Sequence, residues 1–439
     1  MIILIGSRLP RLIFFGALIT AFSSICSQSS QSLAQTLGVE LRNTMNPASG
    51  GMAGASLAMP QDVQSALGGN PASLTQFRGT QFSFGGGWAE PTINIDNDAT
   101  LPIAGVTPFD ARSDRAGSTI GNIAYTQDYS AFGLPLTFGG GLLTLSGLGV
   151  NFVDVNASNG SSSELAALGF AFGAGVQLTD RLAVGAEAIV GAATLSGPFA
   201  GVSAAVPAYG LRGNFGINYQ LADHEIVGFN WLTRQSFQFD NAIRLRVPGG
   251  NLGIAQDVDL DLPESFGWGF ASDRLLDGRL LLASDILYQR YSEADFFQAI
   301  WTDQFVLQVG AQYAATRKLR LRMGYAFAEN IMRDATGLAG GGVIPPGVVP
   351  AVQYIQAQYP AINEHRLTGG VGVRDFLPGV DLDLFAGGMF DAADRFGQSG
   401  VSVESYWIGL GITWRFSRGS CEPLPVADRW CPNSDVGCF

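Results

Sequence analysis

The stretch Arg320-Leu-Arg-Met-Gly-Tyr-Ala-Phe-Ala328 decides the fold class of this sequence. Its odd-numbered positions, from Leu321 to Phe327, are large and apolar, whereas its even-numbered positions are arginine, glycine or alanine. Strict alternation predicts a β-strand, because successive side chains of a strand point to opposite faces. In a soluble sandwich the inward face is bulky and the outward face is polar. A bulky face opposite a small or charged face predicts instead a strand of a membrane-spanning barrel, with its apolar side on lipid.

The same alternation recurs from Thr80 onward, and charged residues repeatedly occupy the face opposite the apolar one. Tryptophans fall near predicted strand ends, as interfacial girdles require. We therefore expect the charges to line an interior and the tryptophans to mark its two rims. The charged positions are Arg244, Arg246, Asp257, Asp259, Asp261, Arg320, Arg322, Asp381 and Asp383, and the tryptophans are Trp88, Trp231, Trp268, Trp301 and Trp414.

The connections between these segments alternate in length. This asymmetry is typical of outer-membrane barrels, which have short periplasmic turns and long external loops. The pattern predicts an all-β fold, a transmembrane antiparallel β-barrel of about 14 strands over residues 80–416. Whether residues 225–247 form one strand or two stays open, and a large soluble β-protein is the alternative. Short turns are expected at residues 179–180, 222–223, 274–278, 315–318 and 377–379, and long loops at residues 96–117, 147–163, 193–208, 292–303, 329–363 and 391–401.

Residues 35–79 precede the first strand and have a different composition. From Gly50 to Phe77 the sequence is small, rich in glycine and almost uncharged, with a Gly-Gly-Asn-Pro-Ala turn at residues 68–72. Such a segment is too small to form a core of its own, so it becomes ordered only inside another structure. We interpret it as a plug around which the barrel closes. A flexible surface linker is the alternative.

The two ends of the chain predict export and a cysteine-containing tail. Arg8 and Arg11 precede an apolar segment, and Ser32-Leu33-Ala34 offers the small residues that a signal peptidase reads. Residues 1–34 are therefore expected to be a signal peptide that is removed. Residues 417–439 carry Cys421, Cys431 and Cys438, of which at most two can pair with each other.

Composition limits the classes of protein that fit. The chain has 439 residues, of which 58 are glycine and 14% are charged, and Lys318 is the single lysine. High apolar content without an uninterrupted apolar run of about 18 residues argues against helical membrane spans. The net charge of −12, which becomes two units more negative without the leader arginines, argues against nucleic acid as a partner.

Six short motifs follow one another along the chain. In order, they are Gly50–Ala55, Asn70-Pro71-Ala72, Leu262-Pro263-Glu264, Val309–Tyr313, Leu321–Tyr325 and Asn363–Arg366. In their order and spacing the sequence resembles the FadL/TodX outer-membrane transporters of long-chain fatty acids and hydrocarbons. The resemblance extends over residues 37–416, nearly the whole mature chain.

The resemblance implies a monomeric fourteen-stranded barrel in the Gram-negative outer membrane, surrounded by its lipid and plugged by an N-terminal hatch. A hydrophobic ligand, a long-chain fatty acid or hydrocarbon, would then leave sideways where the third strand, here residues 135–146, bends inward. Consecutive glycines weaken strand pairing, although they could also merely relieve crowding against the hatch. The hatch residues would be Gly50, Gly51, Gly54, Asn70, Pro71 and Ala72, and the opening Gly139, Gly140 and Gly141.

Two departures from the family concern the loops and the C-terminus. The loop that matches the family's capture loop, residues 193–208, is short, and the longest loop is residues 329–363. The chain also continues past the expected last strand, which ends Trp414-Arg415-Phe416.

Little in the sequence supports catalysis. His224 and His365 are the two histidines, and no serine shares a strand face with either in persuasive register. We expect no enzyme activity, no metal site and no cofactor. A fatty-acid carboxylate would need an arginine, although each candidate could equally pair with an acidic residue of the interior. The candidates are Arg320, Arg322, Arg366, Arg244 and Arg246. A general diffusion porin for small polar solutes, or a structural or adhesin barrel, is the alternative function.

Overall fold

The computed structural model describes residues 42–102, 104–131, 134–196, 205–246, 253–342 and 345–416. This part of the chain forms seventeen strands and three short α-helices. The strands are β1 Gln81–Asn97, β2 Phe109–Arg112, β3 Ser118–Ala131, β4 Leu134–Asn151, β5 Ser162–Thr179, β6 Leu182–Ser196, β7 Val206–Ala222, β8 Glu225–Leu232, β9 Gln235–Arg246, β10 Gly253–Leu262, β11 Ser265–Leu275, β12 Leu280–Gln289, β13 Gln304–Ala314, β14 Leu319–Ala328, β15 His365–Leu377, β16 Val380–Phe396 and β17 Ser399–Arg415. The helices are α1 Val63–Gly68, α2 Ala335–Gly340 and α3 Val349–Gln358.

Fourteen of these strands form one closed antiparallel barrel. Each pairs with its neighbour along the chain, except that β1 pairs with β3 and β8 pairs with β11. Strand β17 closes the barrel on β1 from Gln81–Arg415 to Asn97–Ser399. Strand β2 extends the outer end of β1, whereas β9 and β10 form a separate hairpin. The predicted strand number and closed antiparallel topology are confirmed.

The burial of side chains follows the predicted alternation. On β14, Arg320, Arg322 and Ala326 are buried, whereas Met323 on the opposite face is 69% exposed. Large apolar side chains project outward from strands all around the wall, including Tyr209 and Ile408. A closed barrel satisfies its backbone hydrogen bonds internally, so this apolar outer face suits lipid. None of the helices in the described ranges is long and apolar enough to cross a bilayer.

The hairpin of β9 and β10 corrects one part of the sequence interpretation. Arg244 and Arg246 lie opposite Ala255 and Gly253 in this hairpin, and Asp259 pairs with Gln238 there. The sequence interpretation placed these charges on a wall strand, which is wrong because the hairpin is not part of the barrel wall. The pattern was misleading because a hairpin with one apolar face has the same period of two as a wall strand. Residues 225–246 accordingly divide between wall strand β8 and hairpin strand β9.

The two ends of the barrel differ as predicted. At the short-turn end, the strands are joined by tight connections such as residues 180–181, 223–224 and 378–379. At the long-loop end, the connection at residues 329–363 carries α2 and α3, and residues 292–303 contain two 3₁₀ turns. Trp301, which was expected in a girdle, is 1% exposed and lies in the core beneath these loops, so that prediction is wrong.

Some predictions concern residues outside the described ranges. They are the signal peptide at residues 1–34, the start of the hatch, the centre of the 193–208 loop and the tail with its cysteines.

Candidate functional site

Residues 42–77 lie inside the barrel and are called the plug segment here. It consists of the 3₁₀ turn Ser49–Met52, helix α1 and the 3₁₀ helix Pro71–Gln76. Asp62 caps α1 by accepting from the Ser65 amide (2.7 Å), and its other oxygen accepts from the amides of Ala48 (2.9 Å) and Ser49 (3.0 Å). A single carboxylate therefore holds two turns of the plug segment together, which compensates for its lack of large side chains.

Glycines of the wall allow the plug segment to approach the strands closely. A Cβ at Gly310 would lie 2.6 Å from Met52 Cβ, and one at Gly228 would lie 2.8 Å from the Leu57 carbonyl oxygen. Gly310 pairs with Gly324 across β13 and β14, and Gly324 also faces Met52. The high glycine content thus serves contact between a folded segment and the inner face of the wall.

The six predicted hatch residues are all buried in this segment. Gly51 abuts Gly370 of β15, where a Cβ would be 2.9 Å from the Gly370 Cα, and Gly54 has a φ of +92° that favours glycine. Asn70 donates to the carbonyl oxygen of Leu57 (3.1 Å) and to Asn218 Oδ1 of β7 (2.7 Å). Gly50, Pro71 and Ala72 are likewise buried where the plug segment packs against the wall.

Two of the candidate arginines belong to ion-pair or turn contacts. Arg322 Nη1 lies 2.6 Å from Asp383 Oδ1, and its Nε donates to Gln312 Oε1 at 2.7 Å. Arg374 contacts the other oxygen of Asp383 at 3.2 Å, so the aspartate is shared between two arginines. Arg320 Nη1 donates to the carbonyl oxygen of Thr316 at 2.8 Å, at the short-turn end. Of the two sequence interpretations, pairing within the interior fits these contacts better.

The remaining candidates are dispersed. Arg366 is fully buried near the long-loop end of β15. Arg244 and Arg246 lie on the hairpin outside the wall. The five arginines proposed from sequence therefore do not converge on one pocket.

The wall has an open seam between β3 and β4. Their ladder runs from Ala131–Leu134 to Ile123–Leu142 and ends there. Beyond that point β3 still pairs with β1 as far as Ser118, and β4 still pairs with β5 as far as Asn151. Leu145 forms a bulge in the β4–β5 ladder, where the register shifts between Thr144 and Ser146. Both strands therefore stay in the wall while the line between them is unpaired.

The three glycines predicted to mark the opening lie just beside this seam and not in it. Gly139, Gly140 and Gly141 pair with Thr126, Tyr125 and Ala124 on one side and with Gly173, Phe172 and Ala171 on the other. Gly139 and Gly141 face Leu67 and Leu74 of the plug segment. Their close contacts match the alternative that they relieve crowding against the plug.

A cavity of about 120 Å³ lies between the plug segment and the seam. Its apolar lining includes Met45 of the plug segment, Leu143 and Leu145 of β4, and Leu262 with Tyr291 from the long-loop end. Ile120, Ile189 and Leu232 of other wall strands also line it. Two arginines, Arg42 and Arg212, also line it. The lining is mixed, because polar side chains such as Asn43, Asn122, Thr144 and Gln289 border the cavity beside the apolar ones.

Sequence reasoning missed both of these arginines. Arg212 interacts electrostatically with the buried Glu187, as does Arg42. Glu187 also accepts from Asn214 Nδ2 at 2.9 Å. Strand parity on β7 would have placed Arg212 inward beside Asn214, whereas Arg42 lies in a segment with no alternation to interpret.

The long-loop end above the cavity is packed with aromatic residues. Phe297 and Trp301 stack at 4.4 Å between ring centroids, and Trp301 Nε1 donates to the Tyr359 carbonyl oxygen. The Tyr354 hydroxyl lies 2.7 Å from Ser161 Oγ, and burial raises the pKa of Tyr354 to about 12. Burial also raises the pKa of Tyr359. These contacts join the 329–363 loop to two other loops at this end of the barrel.

Comparison of the fold with solved structures gives a consistent result. The Pseudomonas putida toluene transporter TodX superposes with a TM-score of 0.63 at 18% identity, covering 86% of this chain and 99% of that one. This is the fold of the FadL and TodX transporters. A Pseudomonas aeruginosa FadL homologue gives 0.63 at 14% identity, with 85% and 98% of the two chains covered. The Ralstonia pickettii toluene transporter TbuX gives 0.60 at 18% identity, with 84% and 98% covered.

No family model and no curated protein matches the sequence. The FadL/TodX fold and the apolar outer face together place the protein in the outer membrane of a Gram-negative bacterium. The short-turn end is then periplasmic and the long-loop end extracellular.

Proposed function

We propose that the protein carries long-chain fatty acids or related hydrophobic compounds through the outer membrane by passive diffusion. The observation that carries the proposal is the cavity where the plug segment meets the β3–β4 seam, whose lining includes the apolar side chains of Leu143, Leu145 and Leu262. In this proposal the plug segment is the hatch that blocks a straight passage. The ligand enters from the extracellular side and leaves through the seam into the membrane, as a monomeric barrel without a cofactor.

The size of the cavity bears on how a ligand would fit. Pockets for drug-sized ligands measure roughly 300–1,000 Å³, whereas this cavity has about 120 Å³. A long chain therefore has to extend into the seam or shift the plug segment. Both are adjacent to the cavity, because Asn46 of the plug segment and Thr144 beside the seam line it.

Arg212 is the proposed partner of a ligand carboxylate. A charge-assisted hydrogen bond from a guanidinium is about twice as strong as a neutral one. Glu187 already interacts electrostatically with Arg42 and Arg212. A ligand carboxylate therefore competes with Glu187 for these arginines. An uncharged hydrocarbon would not need the arginine at all.

Binding of oleate and of oleyl alcohol to the purified barrel tests the head-group part of the proposal. The double variant Glu187→Gln with Arg212→Gln removes the acidic group and the guanidinium together, so that no buried acidic group is left without its arginine. We expect it to weaken oleate binding about tenfold, the effect of one charge-assisted bond, while oleyl alcohol binds as before. Arg112→Gln, on the exposed strand β2, is the control. Equal oleate affinity in all variants would point to an uncharged ligand.

A general diffusion porin is the alternative, favoured by the charged residues that face the lumen. Conductance of the protein in a planar bilayer separates the two functions. We expect no steady open current, because the plug segment occupies the lumen. A large steady current from the full-length mature protein would favour the porin, and loss of radiolabelled oleate uptake in cells lacking the gene would favour the transporter.

A further inference from the structure

The side chain of Asn122 binds β4 just beyond the point where the β3–β4 ladder ends. Continued pairing would bring Thr144 opposite Gly121, but no such pair forms. Instead the Thr144 amide donates to Asn122 Oδ1 at 2.7 Å, and Thr144 Oγ1 lies 3.4 Å from the Gly121 carbonyl oxygen. Asn122 therefore replaces a missing backbone bond across the seam.

The other end of the same amide contacts the plug segment. Asn122 Nδ2 donates to Asn46 Oδ1 at 2.7 Å. The Asn46 amide in turn donates to Asn43 Oδ1 (3.0 Å) and Ser65 Oγ (3.1 Å). The orientation of Asn122 is fixed chemically, because the Thr144 amide can only donate and so requires the carbonyl oxygen.

These residues also line the candidate site. Asn43, Asn46, Asn122 and Thr144 all border the cavity between the plug segment and the seam. Asn122 is 6% exposed and Asn46 is 4% exposed. A buried side-chain amide that loses a hydrogen-bond partner raises the free energy of the folded state unless the side chain reorients. A molecule that displaces Asn46 should therefore also disturb the hydrogen bond between Asn122 and the Thr144 amide.

A second asparagine pair joins the plug segment to the wall in a different setting. Asn70 Nδ2 donates to Asn218 Oδ1, also at 2.7 Å, and Asn218 is 5% exposed. Asn218 lies on β7, which at this position pairs with both β6 and β8. The two pairs are thus matched in chemistry, distance and burial, but only the Asn46–Asn122 pair lies beside an unpaired line of the wall.

We propose that Asn122 is a positioning residue that couples the plug segment to the seam. With Asn46 in place, Asn122 holds Thr144 and keeps β4 close to β3. Displacement of Asn46 frees Asn122 to turn away, and the seam widens. Coupling is reciprocal, so a widened seam also loosens the plug segment. The role of this coupling in transport rests on the proposed function, but the coupling itself is present without a ligand.

Hydrogen exchange of the ligand-free, full-length mature protein in detergent tests the coupling. Asn46→Leu changes the plug segment alone, yet we expect amide exchange across residues 143–149 to rise about fivefold to tenfold, as for loss of one buried hydrogen bond. Asn70→Leu is the matched control and should leave residues 143–149 unchanged. Asn46→Ser, which is smaller, serves if Asn46→Leu does not fold, as judged by the heat-dependent mobility of the barrel on gels.

Two further variants identify Asn122 as the link. Asn122→Leu should raise exchange in the same residues, and adding Asn46→Leu to it should raise exchange no further.

Exchange at residues 143–149 that is unchanged by Asn46→Leu, or raised equally by Asn70→Leu, would overturn the proposal. So would additive effects in the double variant. A failure of oleate to bind the wild-type protein would remove the proposed function but would leave these exchange results standing, so the two failures are distinguishable.

Discussion

Two arcs of the same wall hold the plug segment in different ways. Around β14 the ladders are unbroken, from Val306–Ala328 to Ala314–Arg320 on one side and from Leu319–Val373 to Phe327–His365 on the other. There the plug segment lies backbone to backbone against glycines. Between β3 and β4 the ladder ends, and asparagine side chains make the contact. Motion of the plug segment should therefore cost least on the β3–β4 side.

The largest effect should come from breaking the ion pairs of the unbroken arc. Asp383 lies between Arg322 and Arg374, and its side chain is 1% exposed. Asp383→Asn leaves buried arginine charge unbalanced, which lowers the free energy of unfolding by about 3–5 kcal/mol. Urea titration of the folded barrel in detergent measures this.

Asp96→Asn is the control for that experiment. Asp96 pairs with Arg395 at 3.1 Å, but both side chains are about half exposed. Exposed pairs contribute about 0–1 kcal/mol, so little change is expected. Equal losses in the two variants would show that the buried network does not stabilise this arc.

How much of this comparison could be predicted from sequence depends on how local each feature is. The alternation at Arg320–Ala328 predicted both the barrel and the inward position of Arg322, because strand parity is set by adjacent residues. The same rule failed along β9, where the apolar side chains of Phe237 and Phe239 pack in a loop core and not against lipid. The predicted transporter-like fold followed from the order of motifs along the whole chain.

The candidate site itself was the least predictable part. The end of the β3–β4 ladder leaves no mark in either strand's pattern, and the glycines at 139–141 pointed to a paired position next to it. Arg42 and Asn46 lie in a segment without periodicity, so only the folded chain shows which wall residues they meet. Asn122 has an inward parity, but its two partners come from distant parts of the sequence.

An intermediate effect is expected from crowding the contact between plug segment and wall. Gly324 faces the backbone of Met52 and Ala53 so closely that a Cβ would overlap both. Gly324→Ala should therefore destabilise the packed plug segment by about 1–3 kcal/mol, the usual cost of overpacking. Limited proteolysis within residues 42–77 measures its release from the wall.

Gly369→Ala is the matched control, because it lies on the neighbouring strand and a Cβ there would come no closer than 3.8 Å to another atom. Its proteolysis pattern should equal that of the wild type. If Gly324→Ala is cleaved no faster than Gly369→Ala, the plug segment is not held by close backbone contact on this arc.

The smallest change in stability, but a clear change in transport, is expected at the seam. Gly121 is exposed next to the point where the ladder ends, and a Cβ there would meet no atom within 4 Å. Gly121→Trp should leave folding intact, while its ring covers the lipid side of the seam. Oleate uptake should fall about tenfold, equivalent to about 1.4 kcal/mol. Gly369→Trp, on a fully paired outer face, should transport normally. Normal uptake by Gly121→Trp would instead favour a route past Met59 and Gln61, where a cavity of about 390 Å³ lies beside the periplasmic turns.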